Sequence, residues 1–132
     1  MAKSAIYTAN TTSTALTAGS AVPVGTTVRR FGQCVRQEGS SIALIAPGYY
    51  LVTASATLSP TAAGTVSITG QKDGVSISGA MAAETTAAAA ASANLALTFM
   101  VRNTCCDSSV LSFVLGGEAS TLTNFAVSVV KI

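Results

Sequence analysis

The sequence predicts an all-β domain, an antiparallel sandwich, jelly roll or barrel of about eight to ten short strands. Three observations point there. Tyr49 to Leu58 alternates cleanly after a Pro47-Gly48 turn signal, Val66 to Ile77 alternates on both sides of an Asp73-Gly74 pair, and turn residues punctuate the rest at short intervals. No internal repeat is visible.

The anchor is Ala46 to Leu58. Pro47 presets its φ and Gly48 tolerates positive φ, so the chain turns there. Tyr50, Val52, Ala54, Ala56 and Leu58 then fall on one face and Tyr49, Leu51, Thr53, Ser55 and Thr57 on the other. The second face starts apolar and ends in hydroxyls, as suits a surface covered at one end by another subunit and wet at the other. Tyr50, Val52 and Leu58 are the expected core residues.

Upstream, Ser4 to Thr8 reads as a short strand and Ala9 to Ser20 as a loop. Val22-Pro23-Val24 is extended but interrupted by a residue that cannot donate to a ladder, which places it at an edge or beside a bulge. Thr26 to Phe31 is a strand. Within it Arg29-Arg30-Phe31 has two readings, a solvated edge protected by charge or a contact with a partner through arginine. Cys34 to Gln37 and Ile42 to Leu44 are strands joined at Glu38-Gly39-Ser40. Downstream, Ser59 to Gly64 is a loop, Thr65 to Gln71 a strand, and Val75 begins the return strand of an Asp-Gly hairpin that ends at Gly79.

The alanine-rich segment 80–93 has high helix propensity but no large apolar residue recurring at helical spacing, so an extended or loop conformation is preferred over a helix. Leu95, Leu97, Phe99 and Val101 share one strand face; Ala96, Thr98 and Met100 share the other. Asn103 to Ser109 is a turn holding Cys105-Cys106. Val110 to Leu115 is a strand ended by Gly116-Gly117, and Asn124 to Ile132 is a closing strand, apolar on both faces and therefore expected to be covered on both.

At 132 residues one domain spans 1–132, with an N-terminal strand or arm at about 1–27. Charged residues are 9% against an ordinary quarter or so, while hydrophobic ones are 49%, which favours burial of surface between subunits over a monomer. Seven basic and five acidic residues give +2, scattered apart from Arg29-Arg30, and there is no Trp; the clustered cations and aromatic platforms of a nucleic-acid groove are missing. Met1-Ala2-Lys3 runs straight into polar residues with no apolar signal core, and no apolar run is long enough to span a membrane, so neither a signal peptide nor a spanning segment is expected and synthesis in a cytoplasm is the simpler reading. Three cysteines leave at least one unpaired within the chain, as suits a reducing compartment.

The order of these signals resembles the C1q/TNF-like trimeric jelly roll. The likeness is carried by Ser41 to Leu44 leading into Ala46 to Val52, by Thr65 to Gln71 with the Asp73-Gly74 hairpin, by Leu95 to Val101, and by Val110 to Leu115 with the Gly116-Gly117-Glu118 bend and the strand Phe125 to Ile132. The chain is also similar to small proteins encoded by phages and prophages of Firmicutes that share Arg29 to Gly32, Tyr49-Tyr50, Thr61 to Gly64 and Cys105-Cys106. The first resemblance implies a homotrimer whose axial sheet contains the strand from Tyr49, the strand from Leu95 and the C-terminal strand. Tyr49, Leu51, Phe125 and Val127 are then the expected interface residues, with Arg29, Arg30 and Phe31 as a further partner contact. The second implies a virion component such as a capsid decoration, head fibre or fibre tip. The chain departs from secreted members in lacking a collagen-like stalk, which argues against a complement or cytokine role.

Chemistry is sparse. The absence of His removes the commonest general base and metal ligand. The five carboxylates, Glu38, Asp73, Glu84, Asp107 and Glu118, are far apart in sequence. Cys34, Cys105 and Cys106 could offer three thiolates to zinc, but adjacent strand residues point to opposite faces, so one of the vicinal pair reads as a core residue and the other as a surface thiol, with a disulfide from Cys34 to Cys105 or Cys106 as the alternative. No catalytic residue, cofactor or metal is therefore expected, nor a nucleic-acid or membrane partner. The leading expectation is a non-enzymatic virion structural protein whose partners are itself and capsid or fibre proteins. The alternative is an adhesin recognising a host surface or glycan through Ser59 to Gly64, Lys72 to Gly74 and Asn103 to Ser109.

Overall fold

The computed structural model describes residues 3–89, 91–104 and 108–132. Eleven strands form in chain order: β1 (Ala5–Asn10), β2 (Thr14–Leu16), β3 (Thr26–Phe31), β4 (Val35–Glu38), β5 (Ser41–Leu44), β6 (Gly48–Pro60), β7 (Gly64–Lys72), β8 (Val75–Thr86), β9 (Ala93–Asn103), β10 (Ser109–Gly117) and β11 (Ser120–Lys131). All pairing is antiparallel. One sheet runs β3-β1-β11-β6-β9 with β2 also on β11, and the other runs β4-β5-β10-β7-β8. From β5 onward the chain alternates between sheets, except at the β7–β8 hairpin. This is the two-sheet jelly roll expected from the sequence.

The anchor alternation holds along β6. Tyr50, Val52, Ala54, Ala56 and Leu58 are buried, while Tyr49 and Leu51 are 51% and 37% exposed. The Asp73-Gly74 pair makes the tight hairpin, with φ of 52° and 82°, the left-handed conformations such a turn requires. Asp73 also pins the hairpin to β10, since its N–H donates to the Val110 carbonyl and its carboxylate accepts from the Val110 N–H, both at 2.9 Å.

Three boundaries differ from the sequence reading. The return strand does not stop at Gly79. It passes a register irregularity opposite Thr69 to Gln71 and continues as β8 to Thr86, so the first half of the alanine-rich segment is extended. No helix occurs among the described residues. Thr14–Leu16, expected as loop, pairs with Ser120–Leu122 of β11 beyond the reach of β1 and buries Leu16. Finally, the closing strand starts at Ser120 and is not covered on both faces within one chain, because Val130 is 40% exposed. The turn proposed around Cys105-Cys106, and hence the cysteine pairing, lies outside the described residues; Cys34 is buried.

The N-terminal segment is woven into the sandwich. β1 lies between β3 and β11, and Asn10 turns the chain by accepting from the Thr12 N–H and donating to the Pro23 carbonyl. Val22 then donates to the Phe113 carbonyl beside β10, and Val22 and Val24 are buried on either side of Pro23. This matches the position beside a sheet edge that a proline demands.

In the core, Phe113 on β10 meets Phe99 on β9 at 6.2 Å and Phe125 on β11 at 5.3 Å, both edge-to-face, and so locks the two sheets together. Gly70 lies opposite Phe113, where a Cβ would stand 2.7 Å from the Phe99 ring, so a side chain there would displace the ring. At one end of the sandwich the Asn103 amide donates to the carbonyls of Leu44 and Ala46, each at 3.1 Å, and its oxygen accepts from the Ser109 hydroxyl. The Tyr50 hydroxyl donates to the same Ala46 carbonyl at 2.6 Å.

Two stability measurements follow. Phe113→Ala removes the link between sheets and should lower unfolding free energy by about 3–5 kcal/mol in chemical denaturation. Burial, reinforced by the neighbouring Cys34, raises the Tyr50 hydroxyl above its ordinary 10.0. The folded state thus holds this proton more tightly than the unfolded chain. The resulting stability is intact below pH 10 and is lost as pH rises through the folded value. Tyr50→Phe should therefore unfold less steeply with alkali than the parent above about pH 10, at a cost of about 1 kcal/mol at neutral pH from the lost hydrogen bond.

Candidate subunit interface

Directly paired residues in an antiparallel sheet share a face, so register assembles the outward surface of the six-stranded sheet row by row. Phe31 pairs with Ala5, Ala5 with Val130, Val130 with Leu51, and Leu51 with Met100. These five residues cross β3, β1, β11, β6 and β9 as one apolar row, in which Phe31, Val130, Leu51 and Met100 are 58%, 40%, 37% and 55% exposed. Toward the chain-terminal end lie Tyr49 and Arg102, paired with each other, the guanidinium 5.9 Å from the ring centroid. In the opposite direction come Tyr7, Ser128, Thr53 and Thr98, then Ala9, Ala126, Ser55 and Ala96.

This surface carries no charged side chain on the outward face of β1, β6 or β11; Arg29 on β3 and Arg102 on β9 flank it. The combined lengths of β1, β3, β6, β9 and β11, at about 3.3 Å per residue and about 4.8 Å between strands, give a face of roughly 800 Å², one partner's share of a standard interface. Small and hydroxyl-bearing side chains over most of it allow close approach, and the apolar row supplies the area that water disfavours.

The expected interface residues divide. Tyr49 and Leu51 stand on this outward face. Phe125 and Val127 do not: both are fully buried inside the sandwich, so their assignment to a surface seam is corrected. The reason is register. Phe125 pairs with Ala56 and Val127 with Ala54, which are inward residues of β6, leaving Ala126, Ser128 and Val130 outward. A strand apolar on both faces has no alternation from which to read its parity. Tyr7 and Val130 were missed for that reason and for the shortness of β1, whereas Met100 was legible in the alternation Ala96, Thr98, Met100.

Of the proposed partner contact, Arg29 and Phe31 join this face beside Tyr7 and Ser128, bordering a cleft of about 120 Å³. Arg30 has the opposite parity and is stitched across to the second sheet, its Nε donating to the Val35 carbonyl at 2.7 Å. Of the three loops considered for ligand recognition, Lys72 to Gly74 and the described ends of Asn103 to Ser109 share one end of the sandwich, and Ser59 to Gly64 lies at the other. Lys72 to Gly74 lies at the end where β9 finishes, with Lys72 Nζ 2.7 Å from the Arg102 carbonyl, while residues 61–63 lie at the opposite end beside Ala119. Among the described residues no three His, Cys, Asp or Glu side chains gather as metal ligands.

No protein-family profile matches the sequence, and no curated protein is similar to it in sequence. Solved structures are similar in fold. Murine APRIL superposes with a TM-score of 0.77 at 12% identity, covering 98% of this chain and 99% of that one. The globular domain of zebrafish complement 1qA protein gives 0.70 at 9% identity, covering 97% and 95%. The vertex protein P5 of PRD1 gives 0.64 at 17% identity, covering 98% and 96%. With its strand order and near-complete superposition on these structures, the chain has the C1q/TNF-like jelly-roll fold.

Proposed function

We propose that the chain is a non-enzymatic structural module that self-associates through the outward face of its six-stranded sheet into a homotrimer, and that it serves in a virion as a capsid decoration, head fibre or fibre tip. The observation that carries the self-association is the uncharged face with its row Phe31, Val130, Leu51 and Met100, in a chain whose charged residues are only 9% of the total. A row of that kind needs a cover. The C1q/TNF-like fold supports three copies as the arrangement, and the likeness to a viral vertex protein supports the virion setting. Partners are other copies of the chain and capsid or fibre proteins, with neither nucleic acid nor membrane involved.

Leu51→Asp tests the assembly, since position 51 faces Val130 and Met100 whereas a carboxylate at 49 would be paired by Arg102. Three carboxylates brought together at a desolvated seam each cost several kcal/mol, so the dissociation constant should rise about a thousandfold or more while the isolated fold keeps its stability. Sedimentation equilibrium should show the parent at three times the chain mass and the variant at one. An unchanged trimer would remove this face from the assembly, and a monomeric parent would remove the assembly itself. For the setting, immunogold labelling of purified parent virions should decorate one repeated position; unlabelled virions would sink that reading.

A further inference from the structure

Scattered in sequence, the charges are sorted in space. All seven Lys and Arg residues lie in the half of the sandwich where β6 begins and β11 finishes. Lys3 precedes β1 there, Lys72 closes β7, and Arg102 and Lys131 stand at the ends of β9 and β11. Arg29 and Arg30 are held at the same end by pairing with Tyr7 and Ile6, and Arg36 by pairing with Ala43. Against them stand Glu38, bound to Arg36 at 2.7 Å, and Asp73, whose carboxylate is bonded to the Val110 N–H. Even with Asp107 counted on this side, seven positive against three negative leaves a formal +4. The far half holds Glu84 and Glu118 and no cation. The two ends are about 40 Å apart, several times the roughly 8 Å screening length at physiological salt, so they act as separate fields.

We propose that this basic end is a docking face for an acidic protein surface. Apart from Arg36, none of its cations has a carboxylate within ion-pairing distance among the described residues. Several are nonetheless held in place: Arg102 over the Tyr49 ring, Arg30 on the Val35 carbonyl, and Lys72 on the Arg102 carbonyl. Guanidinium forks fixed in this way match carboxylates in two-point contacts without ordering a long side chain on binding. Exposed Val75, paired with Lys72, and Ile132, next to Lys131, stand among them and lie outside the apolar row, so the end offers apolar contact area beside its cations as a protein interface does. A duplex would instead need cations tracking its phosphates along a line, whereas these are spread over strands of both sheets at one end. The segregation belongs to the single chain. A second consequence rests on the proposed self-association: in a cyclic assembly all copies point the same way along the axis, so the basic ends gather on one side and give the module one attachment pole.

The test measures binding of the purified chain, at about 0.15 M salt, to a random copolymer of Glu and Tyr, to a DNA duplex of about 20 base pairs, and to phosphatidylglycerol vesicles. The copolymer should bind most tightly. Lys72→Glu with Lys131→Glu should weaken it at least tenfold, while Glu118→Gln at the far end leaves it unchanged. If the double reversal does not fold, Lys72→Gln with Lys131→Gln should still reduce the salt dependence of copolymer binding. Failure of the copolymer to bind, tighter binding of duplex or vesicles, or indifference to both lysine pairs would overturn the proposal. Sedimentation of the same variants keeps the two ideas apart, since the lysine changes should leave the oligomer intact.

Discussion

Strand β6 is hydrogen-bonded to β11 on one side and β9 on the other along nearly its whole length, and that double register governs the rest of the molecule. A slip of one residue on either side would turn Tyr50, Val52 and Leu58 outward and bring Tyr49, Thr53 and Ser55 into the core. The cost would be several buried hydroxyls without partners. The turn at Pro47-Gly48 fixes where the strand starts, and the shared Ala46 carbonyl, accepting from both Tyr50 and Asn103, ties that turn to the end of β9. Register, corner and end cap therefore reinforce one another, which is how a small core of aliphatic residues and four rings specifies one arrangement.

The same register explains how so little charge is compatible with an ordered surface. Inward positions of the six-stranded sheet take the large apolar residues, so its outward positions are free to be alanine, serine and threonine. Those side chains make poor solvating groups but good contact surface, because they carry little rotamer entropy to lose on being covered. Placing the cations at one end leaves the central strands of the sheet face, β1, β11 and β6, uncharged. Coverage by a second copy then requires almost no desolvation of ions.

Much of the fold was legible from residues. Alternation in Tyr49 to Leu58, Val66 to Ile68 and Leu95 to Val101 identified strands and their inward faces, and Asp73-Gly74 located its hairpin. Three things were not legible, each for a physical reason. β2 has only Leu16 to bury and owes its existence to the unpaired start of β11. The continuation of β8 past Gly79 depends on an irregularity that a glycine permits but does not announce. The parity of β11 is absent from a segment apolar on both faces, so Phe125 and Val127 were placed on the wrong side while Ala126 and Val130 were passed over. At the site, Tyr49 and Leu51 could be placed because their strand alternates. The charge sorting could not be seen at all, since Lys3, Lys72 and Lys131 become neighbours only through strand direction.

That contrast bears on how the fold persists at 12% identity to murine APRIL and 17% to a viral vertex protein. What the two-sheet sandwich demands is polarity at every second position and a turn where each strand must stop, conditions that many residues satisfy. Identity can drift while parity is kept. The outward residues are under no such demand from the fold, so their character reflects whatever covers or meets them. A face left uncharged on its three central strands and an end carrying every cation are therefore the two features here that folding alone does not require. They meet at Arg29 and Arg102, which edge the face, whereas Arg36 and Lys72 belong to the other sheet and stay open when the face is covered.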